Sequence, residues 1–487
     1  MSCAISPPAR TCRYCSCGGM MPFFAQTLLF PVIWLLMAHP TAALRCLVGR
    51  PEAKCRSYFG DGKRSGDSKD RLPNALRVAA TSSAGGAVAG EDGDIVGYDR
   101  NAKVIVIGGS GRVGGSTVRA LRELAGPNLE VVVGGRSERN FNKSVERWRT
   151  LPGAAEGYDY SDVRFCELDL GDASSLASAL EGCALVVHTA GPFQRKSRPE
   201  TLFAVIVCVV PYVDVCDDAR LATAAKALNG RAQEAGVAAT ISSGIWPGID
   251  QLMAVEACEM LGGADNVDSI DFSAFTAGTG NAGTTILSAT FLILCEKVLG
   301  FKDGQKIFHE PASGFKKVDF GDSIGEKTVF RMNLIESFTC NEVLGIPNIS
   351  TYFGTSPEPW NYLLKGMTLL PDSIMGNRDL MQALAEFSEP LVRITDKLVG
   401  ATNAMRLEAV AKDGRRVVLK YAHEDLEVCV GIATAAFAVA TLKGDVRPGV
   451  WFPEEAFSDE TKRLRLFEDA TRGAFMWERE EADRVEH

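Results

Sequence analysis

Residues 103–116 read KVIVIGGSGRVGGS, and this stretch decides the fold. Lys103–Gly108 is β-branched and apolar, as a parallel strand buried on both faces should be. Gly109, Gly111 and Gly114 follow in G-x-G-x-x-G spacing, and a helix pattern runs from Arg112 to Leu124. In this setting each glycine has a task. The first permits a tight turn, the second lets backbone approach a pyrophosphate, and the third lets helix and strand pack closely. The pyrophosphate then rests on the helix N-terminus, where unsatisfied N–H groups and the helix dipole favour an anion. A second strand, Glu130–Gly135, comes at the distance such a unit requires. The predicted cradle is Gly109, Ser110, Gly111, Arg112, Val113 and Gly114.

The second strand ends in Gly134-Gly135-Arg136-Ser137, with no acid at the tip to bond a ribose 2′-hydroxyl. Arg136 offers a fork of donors suited to a 2′-phosphate, and Ser137 adds a hydroxyl. Arg112 adds positive charge close by. The expected cofactor is therefore NADP rather than NAD.

The alternation continues outward. Val163–Leu168 reads as a strand ending at Asp169, a helix follows at Ala173–Leu180, and Ala184–Thr189 is the next strand. Its end, Thr189-Ala190-Gly191, is a small-residue turn expected at the cofactor, because ligands lie at the carboxyl edge of open α/β sheets. His188 reads as a packed histidine. Helix Arg198–Val210, strand Tyr212–Val215, helix Ala219–Glu234 and strand Val237–Ser242 complete an α/β, doubly wound Rossmann sheet. The expected nucleotide domain spans 101–246.

Beyond it the pattern changes. An α+β substrate or dimerisation domain is expected over 247–424. It would hold a helix at Gly248–Leu261, a strand at Val267–Thr276, an apolar helix at Thr284–Leu299, β pieces over 303–352, and a hairpin over 404–422 turning at Asp413-Gly414. Residues 425–487 are expected to return to the nucleotide sheet through RPGVWFPEE at 447–455.

The first hundred residues read as an address. Residues 22–38 form a short apolar stretch, with small residues up to Ala43, as in a signal peptide over 1–43. Residues 44–77 carry nine Lys/Arg against four Asp/Glu, the basic character of a transit peptide, and a linker runs to 100. Such a two-part leader predicts the plastid, with the secretory pathway as the alternative. The net charge of −9 disfavours nucleic acid, whose binding needs clustered cations. Of 14 cysteines, the eight from Cys166 to Cys429 are scattered singly, as reduced core thiols would be. No metal site is predicted, and no stable membrane span is expected in the mature chain; Glu296 and Lys297 interrupt the apolar helix.

Taken in order, GGSGRVGGS, VVVGGRS, HTAGPF, YVDVCDD, SSGIWPG, GTGNAG and RPGVWFPEEAF resemble the saccharopine dehydrogenase-like oxidoreductases, closest to their plastid-type branch in plants and algae. The resemblance covers about residues 100–460. It implies a Rossmann domain with an inserted α+β domain, NAD(P) binding, frequent homodimers, and hydride transfer to an amino-acid-like imine, carbonyl or secondary amine. It does not name the small-molecule substrate.

None of the nine tyrosines has Lys four residues on, which argues against the short-chain dehydrogenase mechanism. The catalytic candidates stand at the end of the fifth strand: Tyr212, Asp214 and Asp217. Asp217 or Asp218 could equally cap the next helix. Thr279 and Asn281 are candidates for the substrate side of the cleft. A non-catalytic NADP-binding sensor or scaffold is the alternative function, since no catalytic motif stands out.

Overall fold

The computed structural model describes residues 102–126, 129–150, 160–194, 196–278 and 283–482. The leader reading over 1–100 and the candidates Thr279 and Asn281 fall outside the described residues.

The nucleotide domain opens with β1 (Lys103–Ile107), α1 (Arg112–Ala125), β2 (Glu130–Gly135), α2 (Glu138–Thr150), β3 (Arg164–Glu167), α3 (Ala173–Leu180) and β4 (Cys183–His188). It continues with α4 (Glu200–Val207), β5 (Tyr212–Asp214), α5 (Ala219–Lys226), α6 (Asn229–Ala235) and β6 (Ala238–Thr240). The first strand ends at Ile107 rather than Gly108. Gly108 has left the strand with φ +81°, a backbone region that favours glycine.

The insertion follows. It holds α7 (Ile249–Met260), β7 (Val267–Ala277), α8 (Thr284–Ile293), β8 (Val298–Lys302), β9 (Gln305–His309), β10 (Ser313–Asp319) and β11 (Glu326–Arg331). Then come α9 (Glu336–Leu344), β12 (Asn348–Ser356), α10 (Pro359–Met367), α11 (Asp372–Met375), α12 (Arg378–Val399), β13 (Thr402–Ala411) and β14 (Arg416–His423). The chain ends with α13 (Leu426–Leu442), β15 (Gly449–Trp451), α14 (Pro453–Ala456), α15 (Glu460–Ala470) and β16 (Met476–Ala482).

The helix expected over 284–299 is a correction. It stops at Ile293, and Val298–Lys302 is a strand, because Asp303 and Gly304 both take positive φ and fold 298–309 into a tight hairpin. Among the described residues no helix is long and apolar enough to cross a membrane.

Seven parallel strands form the first sheet, in the order β15-β6-β5-β4-β1-β2-β3. The strands are apolar throughout, yet alternate residues serve different layers. Val104, Val106, Val131 and Val187 pack toward α13, with Ala433 and Phe437. Ile105, Ile107, Val132 and Val186 pack the other way, with Leu202 and Val205 of α4. The chain reverses its winding between the neighbours β1 and β4, which opens a crevice at their carboxyl ends.

The second sheet is mixed, in the order β10-β11-β12-β7-β13-β14-β16, with the β8–β9 hairpin attached to β12. Only β7 and β12 run parallel among its described pairs. The return of the chain is divided. Val450 pairs with Ala239 in the nucleotide sheet, but Met476–Ala482 goes on to pair with β14 in the second sheet. The expected return of all of 425–487 to the nucleotide domain thus holds for β15 and not for β16.

Helix α13 crosses α1 closely. A Cβ added at Gly431 would lie 2.4 Å from the Ser116 Cβ and 2.6 Å from the Ser116 carbonyl carbon. The helix that carries the glycine loop is therefore braced by a segment from the far end of the chain.

Candidate active site

The glycine loop is built by close backbone approach. A Cβ at Gly114 would fall 2.3 Å from the Gly108 carbonyl oxygen and 2.5 Å from Thr189 Oγ1. One at Gly109 would meet Val133 at 2.9 Å. Gly111 N–H donates to Gly108 O at 2.8 Å, and Gly111 caps α1 without any side-chain bond to the first turn. The N-terminal N–H groups of α1 are thereby left facing the crevice.

Helix α2 holds the loop from outside. Ser144 Oγ donates to Ser110 O at 2.7 Å, and Arg147 Nη2 donates to Gly111 O at 3.3 Å. Trp148, fully buried, fills the space above Gly115, where an added Cβ would lie 2.3 Å from its Nε1. These three residues were missed in sequence, since nothing in α2 has a cofactor motif; only its spacing after β2 hints at the contact.

The pieces fit a dinucleotide. The cradle is one that side chains would fill, and Ser110 Oγ is buried without a hydrogen-bond partner. Arg136 stands exposed at the end of β2, with no ion pair among the described residues. Ser137 Oγ accepts from Asn140 N–H at 3.3 Å and so starts α2. Asp169 is exposed, and its Oδ1 accepts from Gly171 N–H at 2.9 Å. Thr189 Oγ1 donates to Ile107 O at 2.9 Å, fixing the end of β4 to the end of β1 beside Ala190 and Gly191.

A cavity of about 530 Å³ opens from this crevice. Its floor is Gly111, Arg112, Val113 and the turn 189–194; its far wall is the insertion, through Trp246, Thr285, Met332, Leu334 and Phe353. Such a volume is typical of small-molecule sites. The parity of β5 sorts the sequence candidates. Val215 and Asp217 line this cavity. Tyr212, Asp214 and Cys216 point to the opposite face, where with His188 and Lys196 they line a separate cavity of about 300 Å³. Phe193 touches both.

In the smaller cavity the buried groups hold one another. His188 Nδ1 lies 2.9 Å from the Tyr212 hydroxyl, and Asp214 Oδ1 accepts from Cys216 N–H and Ser242 N–H. Burial pushes His188 down to about 3, so it is neutral and packed, as its sequence context suggests. Burial raises Asp214 to about 6 and the Cys216 thiol well above its ordinary value.

The two aspartates after Cys216 divide their roles. Asp218 caps α5, accepting from Arg220 and Leu221 N–H. Asp217 faces the large cavity beside Gln194, and burial raises it to about 7. Behind it lie Glu336 and Asp250, two buried acids close enough to act on each other. Burial raises both above their ordinary carboxylate values. Sequence gave no sign of this pair, because the two residues come together only through packing of α7 on α9. Glu427, from the start of α13, stands 3.5 Å from Arg112.

Residues 104–240 match the saccharopine dehydrogenase NADP binding domain. A stretch of 101 residues is 33% identical to vestitone reductase of Medicago sativa, covering 20% of this chain and 28% of that relative's length. Apo saccharopine dehydrogenase (L-Glu forming) from Saccharomyces cerevisiae superposes with a TM-score of 0.54 at 15% identity, over 78% of this chain and 100% of that one. This last likeness is one of fold. The crevice described above is thus formed within the segment, residues 104–240, that matches an NADP binding domain.

Proposed function

We propose that this saccharopine dehydrogenase-like protein is an NADP-dependent oxidoreductase acting on an imine, carbonyl or secondary amine held in the 530 Å³ cavity. That cavity carries the reading, because it joins the cofactor crevice to a wall supplied by the inserted domain. A bare nucleotide-binding sensor has no need of such a chamber. The nicotinamide, when bound, supplies or accepts the hydride, and the protein supplies position and electrostatics.

The chain's own part follows from its residues. Gly108–Gly114 and the N-terminus of α1 hold the pyrophosphate, and Arg136 with Ser137 serves the 2′-phosphate end. Asp217, raised to about 7, exists in both protonation states near neutral pH and can give or take a proton at the cavity wall. Apolar side chains such as Phe353 and Met332 exclude water from the far end.

The test is NADPH consumption against a panel of imines and carbonyls, beside binding of NADPH and NADH. Turnover with an Asp217→Asn loss of at least ten-fold supports the reading. Binding of NADPH with silence across the whole panel favours the sensor.

We further propose a homodimer and a plastid location. Phe387, Leu391, Ile394 and Leu398 are exposed on α12 at d-a-d-a spacing, a stripe suited to a second copy of the same helix. Phe387→Glu should convert a dimer to a monomer by light scattering. The location rests on the two-part leader, and a fusion of residues 1–100 to a fluorescent protein tests it in algal cells.

A further inference from the structure

We infer that the substrate end of the large cavity takes an apolar ammonium ion that lacks a carboxylate, rather than an amino acid. This rests on the oxidoreductase reading of the same cavity.

Charge on the walls is the first observation. Among the described residues lining the cavity, Arg112 is the one cation, against the carboxylates Asp217, Glu336, Glu389 and Glu427. Arg112 belongs to the first turn of α1, on the cofactor side. The wall's two positive features are both met by one acid. Glu427 pairs with Arg112 at 3.5 Å, and it also accepts from Gly283 N–H at the start of α8. Lys196, a nearby cation, lines the smaller cavity on the other face. A substrate carboxylate therefore meets no uncommitted cation among the described lining residues.

Burial strengthens the effect of the charges that do line the cavity. A carboxylate beside ionised Asp217 is repelled in this low-dielectric setting, and an ammonium is attracted. A wrong charge at this wall is thus rejected as strongly as a right one is held. Much of the far wall is hydrocarbon or aromatic, through Trp246, Ile286, Ile293, Leu334 and Phe353, and its polar members Thr285, Thr290 and Asn333 are uncharged. The ligand that fits is an amine on an apolar body.

Protonation sets the pH dependence. Asp217 faces Gln194, Asp218 and Glu336, and it is raised to about 7 by burial first. An amine of ordinary basicity stays charged from pH 6 to 8, while Asp217 ionises across that range. Binding therefore strengthens as pH rises.

Isothermal titration of the NADPH-saturated protein tests this, because the reduced cofactor blocks amine oxidation and leaves binding as the readout. Benzylamine and hexylamine are compared with glutamate and saccharopine. The amines are expected to bind at least ten-fold more tightly than either carboxylated compound, with affinity rising several-fold from pH 6 to 8. Asp217→Asn should remove that pH dependence and weaken amine binding about ten-fold while leaving NADPH affinity intact. Glu336→Gln serves if the first variant is unstable, and a drop in amine affinity is expected there too. Glutamate or saccharopine binding more tightly than the amines overturns the inference, as does absence of amine binding. Loss of NADPH binding itself would strike at the oxidoreductase reading instead.

Discussion

Glu427 Oε2 lies 3.5 Å from Arg112 Nη1, so an acid from the start of α13 opposes the guanidinium beside the pyrophosphate cradle. Burial raises Glu427 to about 7, against the pull of Arg112. It is largely neutral at pH 6 and largely ionised at pH 8. The ionised form competes with the cofactor's phosphates for Arg112. NADPH affinity should therefore fall as pH rises through 7. Glu427→Gln should tighten NADPH binding about three- to ten-fold at pH 8 and change little at pH 6, read by fluorescence titration. An equal effect at both pH values would refute this account.

Arg136 gives the second prediction. It stands exposed where a 2′-phosphate is expected, and a charge-assisted bond there is worth about 1.5–3 kcal/mol. Arg136→Ala should weaken NADPH binding roughly ten- to a hundred-fold and leave NADH binding within about two-fold. Equal loss for both cofactors would remove Arg136 from the 2′-phosphate site.

Gly114 gives the third. Its missing Cβ would strike the Gly108 carbonyl oxygen at 2.3 Å, and that oxygen is backbone that cannot rotate away. Gly114→Ala should destabilise the fold by about 1–3 kcal/mol, through overpacking. It should also push the loop off its cradle, with NADPH affinity down at least ten-fold. Gly126→Ala is the control for position, since an added Cβ there meets nothing within 4 Å; its φ of +74° still carries a small backbone penalty. Denaturant melts with NADPH titration on both variants check this.

The buried acids give the fourth. Burial raises Asp214 to about 6 and Asp217 and Glu454 to about 7, all above their unfolded values. The native state then binds more protons than the unfolded chain between about pH 4 and 7, so stability is largest below that window and falls as pH rises through it. The cofactor-free protein should melt at a higher temperature at pH 5.5 than at pH 7.5, with a loss on the order of a few kcal/mol. Glu454→Gln should flatten part of that slope in scanning calorimetry.

Much of this was legible in the sequence because the signals were local. The strand-loop-helix unit at 103–124, the alternation through Thr240 and the return at 449–451 follow from composition and spacing. Asp217 was legible as a candidate, but not its separation from Tyr212 and Asp214. That depends on strand parity, which sends odd residues from Val213 to Asp217 one way and even residues the other. The end of α8 was misread because its apolar run passes without a break into β8, and only the positive φ of Asp303 and Gly304 turns it back. Asp250 with Glu336, and Ser144 with Ser110, are contacts between distant segments, for which no local pattern exists.

The crossing of Gly431 on Ser116 bears on how the protein is made. On a ribosome, α1 emerges early, but the helix that braces it is synthesised only after the entire insertion. Until residues 449–451 arrive, β6 is an open edge on a hydrophobic sheet, a template for pairing with the wrong chain. The glycine cradle, first to be written, is thus among the last parts to become rigid. Its formation waits on long-range closure, and that dependence predicts a slow folder that relies on chaperones during synthesis.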